Sequence, residues 1–478
     1  MSRQKTLSGD ALIEALPGRV SLDAETRYRY SFDSLKVSFL PDAVVRVRKE
    51  AEVGTLLELA NAYRVPVVPR GAATSRTAGA TPQRGGWVLD LSGLKRVSVD
   101  SNLGVARAQA GVVTASLQDK AEAAGWFYPP DPSSKKYSTI GGNIACNAGG
   151  LRGAKYGVTR DYVMALRGYL PTGEAVEWGR KTRKFAAGFN IRDLWIGSEG
   201  LLGVVTSATL KLVPRPETRW TLEVAFENEA KALEGVSALL AKRVVPSICE
   251  FMDRNAVRGA EVFKGGPVFP GLRDTAVVLL ELDGSRAEVR SMKAEVKEWA
   301  RNHGVRSREA RSEEEAERLW ETRRACSPAM YRLADSKLNE DIVVPLDRQL
   351  ELLRFVRRLE KQSQLPIATF GHAADGNLHV NILYHQADVA ERKRAFRTAG
   401  KLMHKVVALG GAISGEHGIG LAKTPFLGLQ FSEAELGAMR RIKEALDPRG
   451  ILNPGKVFEE TRIWEYEPVE HRFPWDRA

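Results

Sequence analysis

The sequence predicts an α+β protein of two or three domains. Its 478 residues exceed the roughly 100–200 that one core serves. Short β-rich runs alternate with stretches of helical period through the first third, and the pattern changes at Pro214-Arg215-Pro216. Apolar residues make up 43% and charged residues 27%, the balance of a chain that buries a core rather than staying disordered.

Residues 44–48 read as a strand, and residues 50–64 carry Val53, Leu56, Leu57 and Ala60 at helical spacing. Residues 65–69 read as a strand entering a Gly/Ala/Thr loop, residues 87–91 and 105–108 as strands, and residues 114–124 as a helix. Beyond the proline pair, strands are expected at 222–226, 248–252 and 277–282. Helices are expected at 229–240, with Asn228 as N-cap, and at 285–303. A sheet with helices on one face is the expected second unit. A helical stretch from Ser432 ends at Asp447-Pro448, and a loop through Lys456 follows.

No run of about 18 apolar residues occurs, which predicts no membrane-spanning helix. The opening residues lack an apolar core before Asp10 and Glu14, which predicts no secretory signal. Cys146, Cys249 and Cys326 are far apart, so thiolate zinc, iron–sulfur clusters and a disulfide scaffold are not supported, and a reducing cytoplasm is expected. The 71 Lys and Arg against 59 Asp and Glu give +12. The densest basic run, residues 180–184, holds no interleaved aromatic residue and reads as a solvated loop rather than a nucleic-acid site.

Residues 450–456 spell Gly-x-x-x-x-Gly-Lys, but Val457 stands where a phosphate loop needs Ser or Thr, and a Rossmann Gly-x-Gly-x-x-Gly is absent. Four small-residue loops remain, at 69–75, 139–145, 147–150 and 197–203, with Pro129-Pro130-Asp131-Pro132 among them. Such loops let backbone N–H groups close on a pyrophosphate.

These segments, with Lys155-Tyr156-Gly157-Val158-Thr159-Arg160-Asp161 and Asn453-Pro454-Gly455-Lys456, resemble the vanillyl-alcohol-oxidase (PCMH-type) family of FAD-binding flavoproteins, over roughly residues 35–458. Within it the likeness is to D-lactate, D-2-hydroxyglutarate and glycolate dehydrogenases. The resemblance implies FAD contacts from Pro69, Arg70, Gly71, Ala72, Ala73, Thr74 and Ser75. It adds Pro130, Asp131, Ser133, Thr139, Gly141, Gly142, Asn143, Asn147, Gly149, Gly150, Tyr156 and Gly157, then Glu199, Gly200, Gly203, Val204 and Asn453. Where relatives have Gly-Thr-Gly-Leu-Ser-Gly-Gly, this chain has Ala73-Thr74-Ser75-Arg76-Thr77-Ala78-Gly79, with Arg76 placed to meet phosphate charge. The loop holds no histidine for a covalent flavin bond, so non-covalent FAD is expected. The implied domains are an N-terminal segment (1–34), an FAD-binding domain (35–215), an antiparallel-sheet substrate domain with the metal site (216–430) and a C-terminal helical segment returning to the FAD (431–478).

The second dense site is residues 370–381. Asp375-Gly376 is a turn signal between β-like runs, which sets His372 and His379 on neighbouring strands where facing side chains stand roughly 5 Å apart. The period of two puts His379 and Asn381 on one face. Glu416, in Ser414-Gly415-Glu416-His417-Gly418, offers a third ligand and completes a two-His, one-carboxylate set. These segments resemble the signatures of metal-dependent D-2-hydroxy-acid dehydrogenases. The resemblance makes His372, His379 and Glu416 the ligands of a divalent ion (Zn, Mn or Fe), His417 the catalytic base, and Asn381, Arg323 and Ser327 substrate contacts. Where relatives selective for 2-hydroxyglutarate carry a Lys, this chain has Asn339.

The function expected is oxidation of a small D-2-hydroxy acid, D-lactate or glycolate, to the 2-oxo acid. The alternatives are an FAD oxidoreductase on another substrate and an electron-relaying FAD subunit of a larger complex. The electron acceptor is expected to be external: a quinone, a cytochrome, an electron-transfer flavoprotein or a separate iron–sulfur subunit. A cytoplasmic protein is expected, with peripheral association at the inner membrane face open.

Overall fold

The computed structural model describes residues 2–477, which divide into two compact units. The first comprises Met1–Gly149, Val158–Arg215 and Glu416–His471; the second comprises Gly150–Gly157, Pro216–Gly415 and Arg472–Ala478.

In the first unit, β1 (Val20–Ser21), β2 (Ala43–Arg46), β3 (Val67–Arg70) and β4 (Trp87–Asp90) form a sheet of order β1-β2-β4-β3, with β2 and β3 parallel to β4. β2 and β3 run in the same direction on either side of β4, so the chain between them crosses over, and the helix Glu50–Tyr63 lies in that connection. Val53, Leu56, Leu57 and Ala60 recur on one stripe and are fully buried against that sheet's core. A second sheet joins β5 (Val97–Asp100), β6 (Val105–Gln109), β8 (Val163–Tyr169), β9 (Ala175–Gly179) and β10 (Val204–Lys211) in the antiparallel order β5-β6-β10-β8-β9. β7 (Trp126–Phe127) pairs with β11 (Val213–Pro214).

One of the small-residue loops is largely a helix, Ile140–Cys146. Thr139 caps it by accepting from Gly142 N–H, and a Cβ on Gly141 would lie 2.7 Å from Ala110 Cβ. That glycine serves close packing, which the sequence does not distinguish from a turn.

The second unit is built on one antiparallel sheet of order β15-β12-β14-β13-β17-β18-β16. Its strands are β12 (Thr218–Phe226), β13 (Ile248–Met252), β14 (Ala276–Gly284), β15 (Arg306–Glu309), β16 (Ser336–Val343), β17 (Ile367–His372) and β18 (Asn377–Tyr384). Every residue of β13, β17 and β18 is buried, so both faces must be covered. Met252, Val277, Leu279 and Phe370 pack with Ala256, Val257, Leu319 and Cys326 of the helices Arg254–Lys264 and Glu313–Ala329. On the other face Trp299 of the helix Arg286–His303 meets Phe226, and its indole donates to Gly235 O in the helix Glu229–Ala241. Helices therefore cover two faces rather than the one expected. Among the described residues no helix is long and apolar enough to cross a membrane.

Candidate active site

β17 and β18 close into a hairpin at Asp375-Gly376. Gly376 has φ +88°, and a Cβ there would stand 2.2 Å from Val344 O, so only glycine fits this turn. Register places His372 opposite Asn377 and His379 opposite Phe370. The two histidines are thus diagonal, not directly opposed as the turn signal suggested. They still share a face, since their register differs by two residues, and their ring centroids are 5.6 Å apart. The same face carries Asn381 opposite Asn339 and His379 opposite Asp341 on β16.

On the far side of β17, Glu250 of β13 stands opposite His372. Its buried carboxylate accepts from His372 Nδ1 and from Arg323 Nε of the helix Glu313–Ala329. Burial pushes this carboxyl up, but the charges of His372 and Arg323 outweigh it and hold the group at about 2. A carboxylate on Nδ1 fixes the imidazole orientation and turns Nε2 outward, the arrangement of a metal-ligating histidine. Near the other ring, Asp341 Oδ1 lies 3.9 Å from His379 Nδ1. Asp341 also accepts from Asn377 Nδ2 at 2.7 Å and from Gly415 N–H at 2.9 Å.

That last bond sets the start of the Glu416 segment, because Glu416 is the next residue after Gly415. Within the second unit His372 and His379, with ring centroids 5.6 Å apart, offer two neighbouring imidazoles, and Glu416 opens the segment of the first unit that follows. Two neighbouring imidazoles, one already bonded to a carboxylate through Nδ1, are donors that fit a divalent cation.

The expected substrate contacts fall around the same sheet face. Asn381 is fully buried; its Nδ2 donates to His379 O at 3.2 Å and Ala368 O at 3.4 Å, while its Oδ1 has no hydrogen-bond partner among the described residues. A buried carbonyl oxygen left so is costly, which marks a place where a ligand donor belongs. Arg323 lies over the Phe370 ring with its guanidinium carbon 4.7 Å from the centroid. Ser327 Oγ accepts from Lys337 Nζ at 2.9 Å.

In the first unit, Glu199 has φ +51° and directs both carboxylate oxygens at the 416–420 loop, accepting from Ile419 N–H at 2.7 Å and Gly420 N–H at 2.8 Å. Thr77 Oγ1 donates to His417 O at 3.4 Å, and His417 Nε2 lies 3.8 Å from Glu416 Oε1. A Cβ on Gly149 would come within 3.2 Å of Glu416 Oε2. The glycine loops and the Glu416-His417 pair are therefore packed together in one unit.

Along the first loop, the backbone N–H groups of Ala72, Ala73, Thr74 and Ser75 have no protein acceptor among the described residues. Successive free amides of this kind bind anions, so the loop fits a pyrophosphate. Ala73 and Ala78 take φ of +58° and +59°, the left-handed conformation that glycine adopts without strain. Arg70 is buried, donating to Ala80 O at 3.2 Å. Asn453 Nδ2 donates to Glu199 O at 2.7 Å and its Oδ1 accepts from the buried Lys456, which burial pushes down to about 7. Asp131 pairs with Lys135 at 2.7 Å. Gly150, Tyr156 and Gly157 belong to the second unit, where the Tyr156 hydroxyl bonds the Asp283 carboxylate at 2.9 Å.

Glu250 escaped the reading of the sequence, and Asp341 and Asn377, though in or beside segments it noted, were given no role. Glu250 did leave a signal: it is the one charge in the apolar run Ile248-Cys249-Glu250-Phe251-Met252, and a charge buried in a strand is held there by partners. Asp341 and Asn377 left none, because their importance arises only from the register of β16 and β18.

The chain matches the family model of the C-terminal domain of FAD linked oxidases over residues 215–457 and an FAD binding domain model over residues 41–179. It is 39% identical to the glycolate oxidase subunit GlcD of Bacillus subtilis, covering 90% of this chain and 92% of that one. It is 34% identical to the D-lactate dehydrogenase of Anaerostipes hadrus, covering 93% and 95%. With the D-2-hydroxyglutarate dehydrogenase of Stutzerimonas stutzeri it shares 32% identity over 95% and 100%. The fold is that of p-cresol methylhydroxylase, with a TM-score of 0.79 at 16% identity over 96% and 98% of the chains. It is likewise that of the 4-ethylphenol oxidase of Gulosibacter chungangensis, at 0.77 and 17% over 97% and 98%. The chain belongs to the FAD-linked oxidase family, as an FAD-dependent oxidoreductase of the D-lactate dehydrogenase and glycolate oxidase type.

Proposed function

We propose that this enzyme oxidises a short D-2-hydroxy acid, D-lactate or glycolate, to its 2-oxo acid, with non-covalently held FAD taking the electrons and an external acceptor receiving them. The observation that carries this reading is the pair His372 and His379 on one sheet face, with ring centroids 5.6 Å apart and Glu250 bonded to His372 Nδ1. That set suits a substrate carrying a hydroxyl beside a carboxylate.

His372, His379 and Glu416 would hold a divalent ion, zinc, manganese or iron. When bound, the ion would supply Lewis acidity to the hydroxyl, and the flavin would be the acceptor for the C–H hydrogen with its two electrons. The imidazole of His417 takes the hydroxyl proton, so one C–H and one O–H bond break as the C=O bond forms. Arg323 offers a cation for the substrate carboxylate, and Glu250 keeps its guanidinium in place. Asn381, whose buried Oδ1 meets no donor among the described residues, would contact the substrate. Asn339 brings no cation for a second carboxylate, which favours a monocarboxylate over 2-hydroxyglutarate. The acceptor is a quinone, a cytochrome, an electron-transfer flavoprotein or a separate iron–sulfur subunit. The three free cysteines fit a reducing cytoplasm.

The test is dye-linked reduction by the purified holoenzyme over a panel of D- and L-2-hydroxy acids. Turnover of D-lactate or glycolate is expected, falling by about 10²–10⁴ in His417→Gln with the flavin still bound. Absence of turnover with every 2-hydroxy acid would overturn the reading. It would leave oxidation of another substrate, or electron relay within a complex, in its place.

A further inference from the structure

The residues after β9 form an exposed excursion that the proposed chemistry does not use. Residues 180–190 are all exposed. Arg180, Lys181, Arg183 and Lys184 supply four cations, and positions 180–189 contain no acid. Directly after them come Phe185, 49% exposed, and Phe189, 92% exposed, the most exposed large apolar side chain among the described residues. The segment is anchored at both ends. Lys181 pairs with Asp100 at 2.7 Å, and Asn190 caps the helix Ile191–Trp195 by accepting from Asp193 N–H. The Asp100 contact brings in the β5–β6 turn, whose Leu103 is 57% exposed. Arg183 and Lys184 pair with no carboxylate among the described residues.

A basic run by itself is ordinary solvated surface. Phe185 and Phe189, exposed within four positions of each other directly beyond that run, set apolar surface beside the cations, and it is the combination that points to a partner. Cations and exposed aromatic rings on one excursion match an anionic lipid interface, where charge meets headgroups and rings enter the acyl boundary. The net charge of +12 adds long-range attraction of the same sign. An acidic protein would answer the cations but gives no reason for the two exposed rings beside them.

We propose that residues 180–189 form an interfacial anchor that docks the enzyme on an anionic membrane surface. The proposal goes beyond the assigned reaction and does not depend on which acid is oxidised. The holoenzyme would be sedimented with phosphatidylcholine vesicles containing about a quarter phosphatidylglycerol, and with phosphatidylcholine alone. Association with the anionic vesicles only is expected, weakening as salt is raised. The double variants R183E/K184E and F185S/F189S are each expected to lower vesicle affinity by at least about tenfold. Dye-linked turnover and flavin content should stay as in the native protein, which separates failure of the anchor from failure of the chemistry. Equal binding to neutral vesicles, or native binding by both variants, would overturn the proposal. So would no vesicle binding at all, the result expected of a loop that docks an acidic protein.

Discussion

Glu250 shows how one side chain decides the character of a site. It touches both His372 and Arg323, so it orients a candidate ligand and a candidate substrate cation together. Glu250→Gln keeps the shape and removes the charge. Under the proposed function it should weaken binding of manganese or zinc to the apoprotein by about 10–100-fold, the usual cost of losing a carboxylate behind a ligating histidine. Titration calorimetry on variant and native protein reads this directly. Equal affinities would mean that His372 does not ligate. Glu199 plays a parallel part in the first unit: both its oxygens hold backbone N–H groups of the 416–420 loop, which makes it a positioning residue for His417.

At the scale of elements, the β17–β18 hairpin depends on its turn. Gly376→Ala puts a Cβ 2.2 Å from Val344 O at a φ of +88°, so the strand ends must part. Strain at such a position costs about 1–3 kcal/mol before the clash is counted. The variant should lose at least about 2 kcal/mol in urea unfolding, and an unchanged midpoint would show that the turn relaxes freely. Edge strand β15 carries a different device. Glu309 accepts from Lys293, Lys297 and the Trp220 indole; burial acts against them, yet the carboxyl is held at about 2. A depressed carboxyl stabilises the fold above its unfolded pKa, so this contribution is complete above about pH 4.5 and disappears as pH falls towards 2. Allowing for its partial exposure, the loss is about 1–2 kcal/mol. Denaturation at pH 5 and pH 3 should show a smaller difference for Glu309→Gln than for the native chain; an identical difference would assign the acid sensitivity elsewhere.

At the scale of the whole molecule, the proposed function would seat FAD and a divalent ion on different residues, so the two should be separable. Dialysis against a strong chelator is expected to leave the protein yellow while turnover disappears, and manganese or zinc should restore it. Readdition at about 100 times its dissociation constant should raise stability by about 2.7 kcal/mol. Full activity after verified removal of metal would leave the flavin reading standing and remove the ion from the mechanism.

Much of this was legible in the sequence for a physical reason: backbone constraints are local. Val53, Leu56, Leu57 and Ala60 announce their helix by spacing, and Asp375-Gly376 announces its turn by the conformations those residues tolerate. His372, His379 and Glu416 are residue types that ligate metals, and the resemblance alone made His417 the expected proton acceptor. Register is not local. That His379 stands opposite Phe370, that Glu250 lies behind His372, and that Asp341 reaches Gly415 follow from how strands remote in the chain align to bury both faces of one sheet. Composition and motif by themselves determined the flavin fold and the candidate ligands. Tertiary packing alone decided which buried carboxylates hold them, because a buried charge is set by its partners in space and not by its neighbours in sequence.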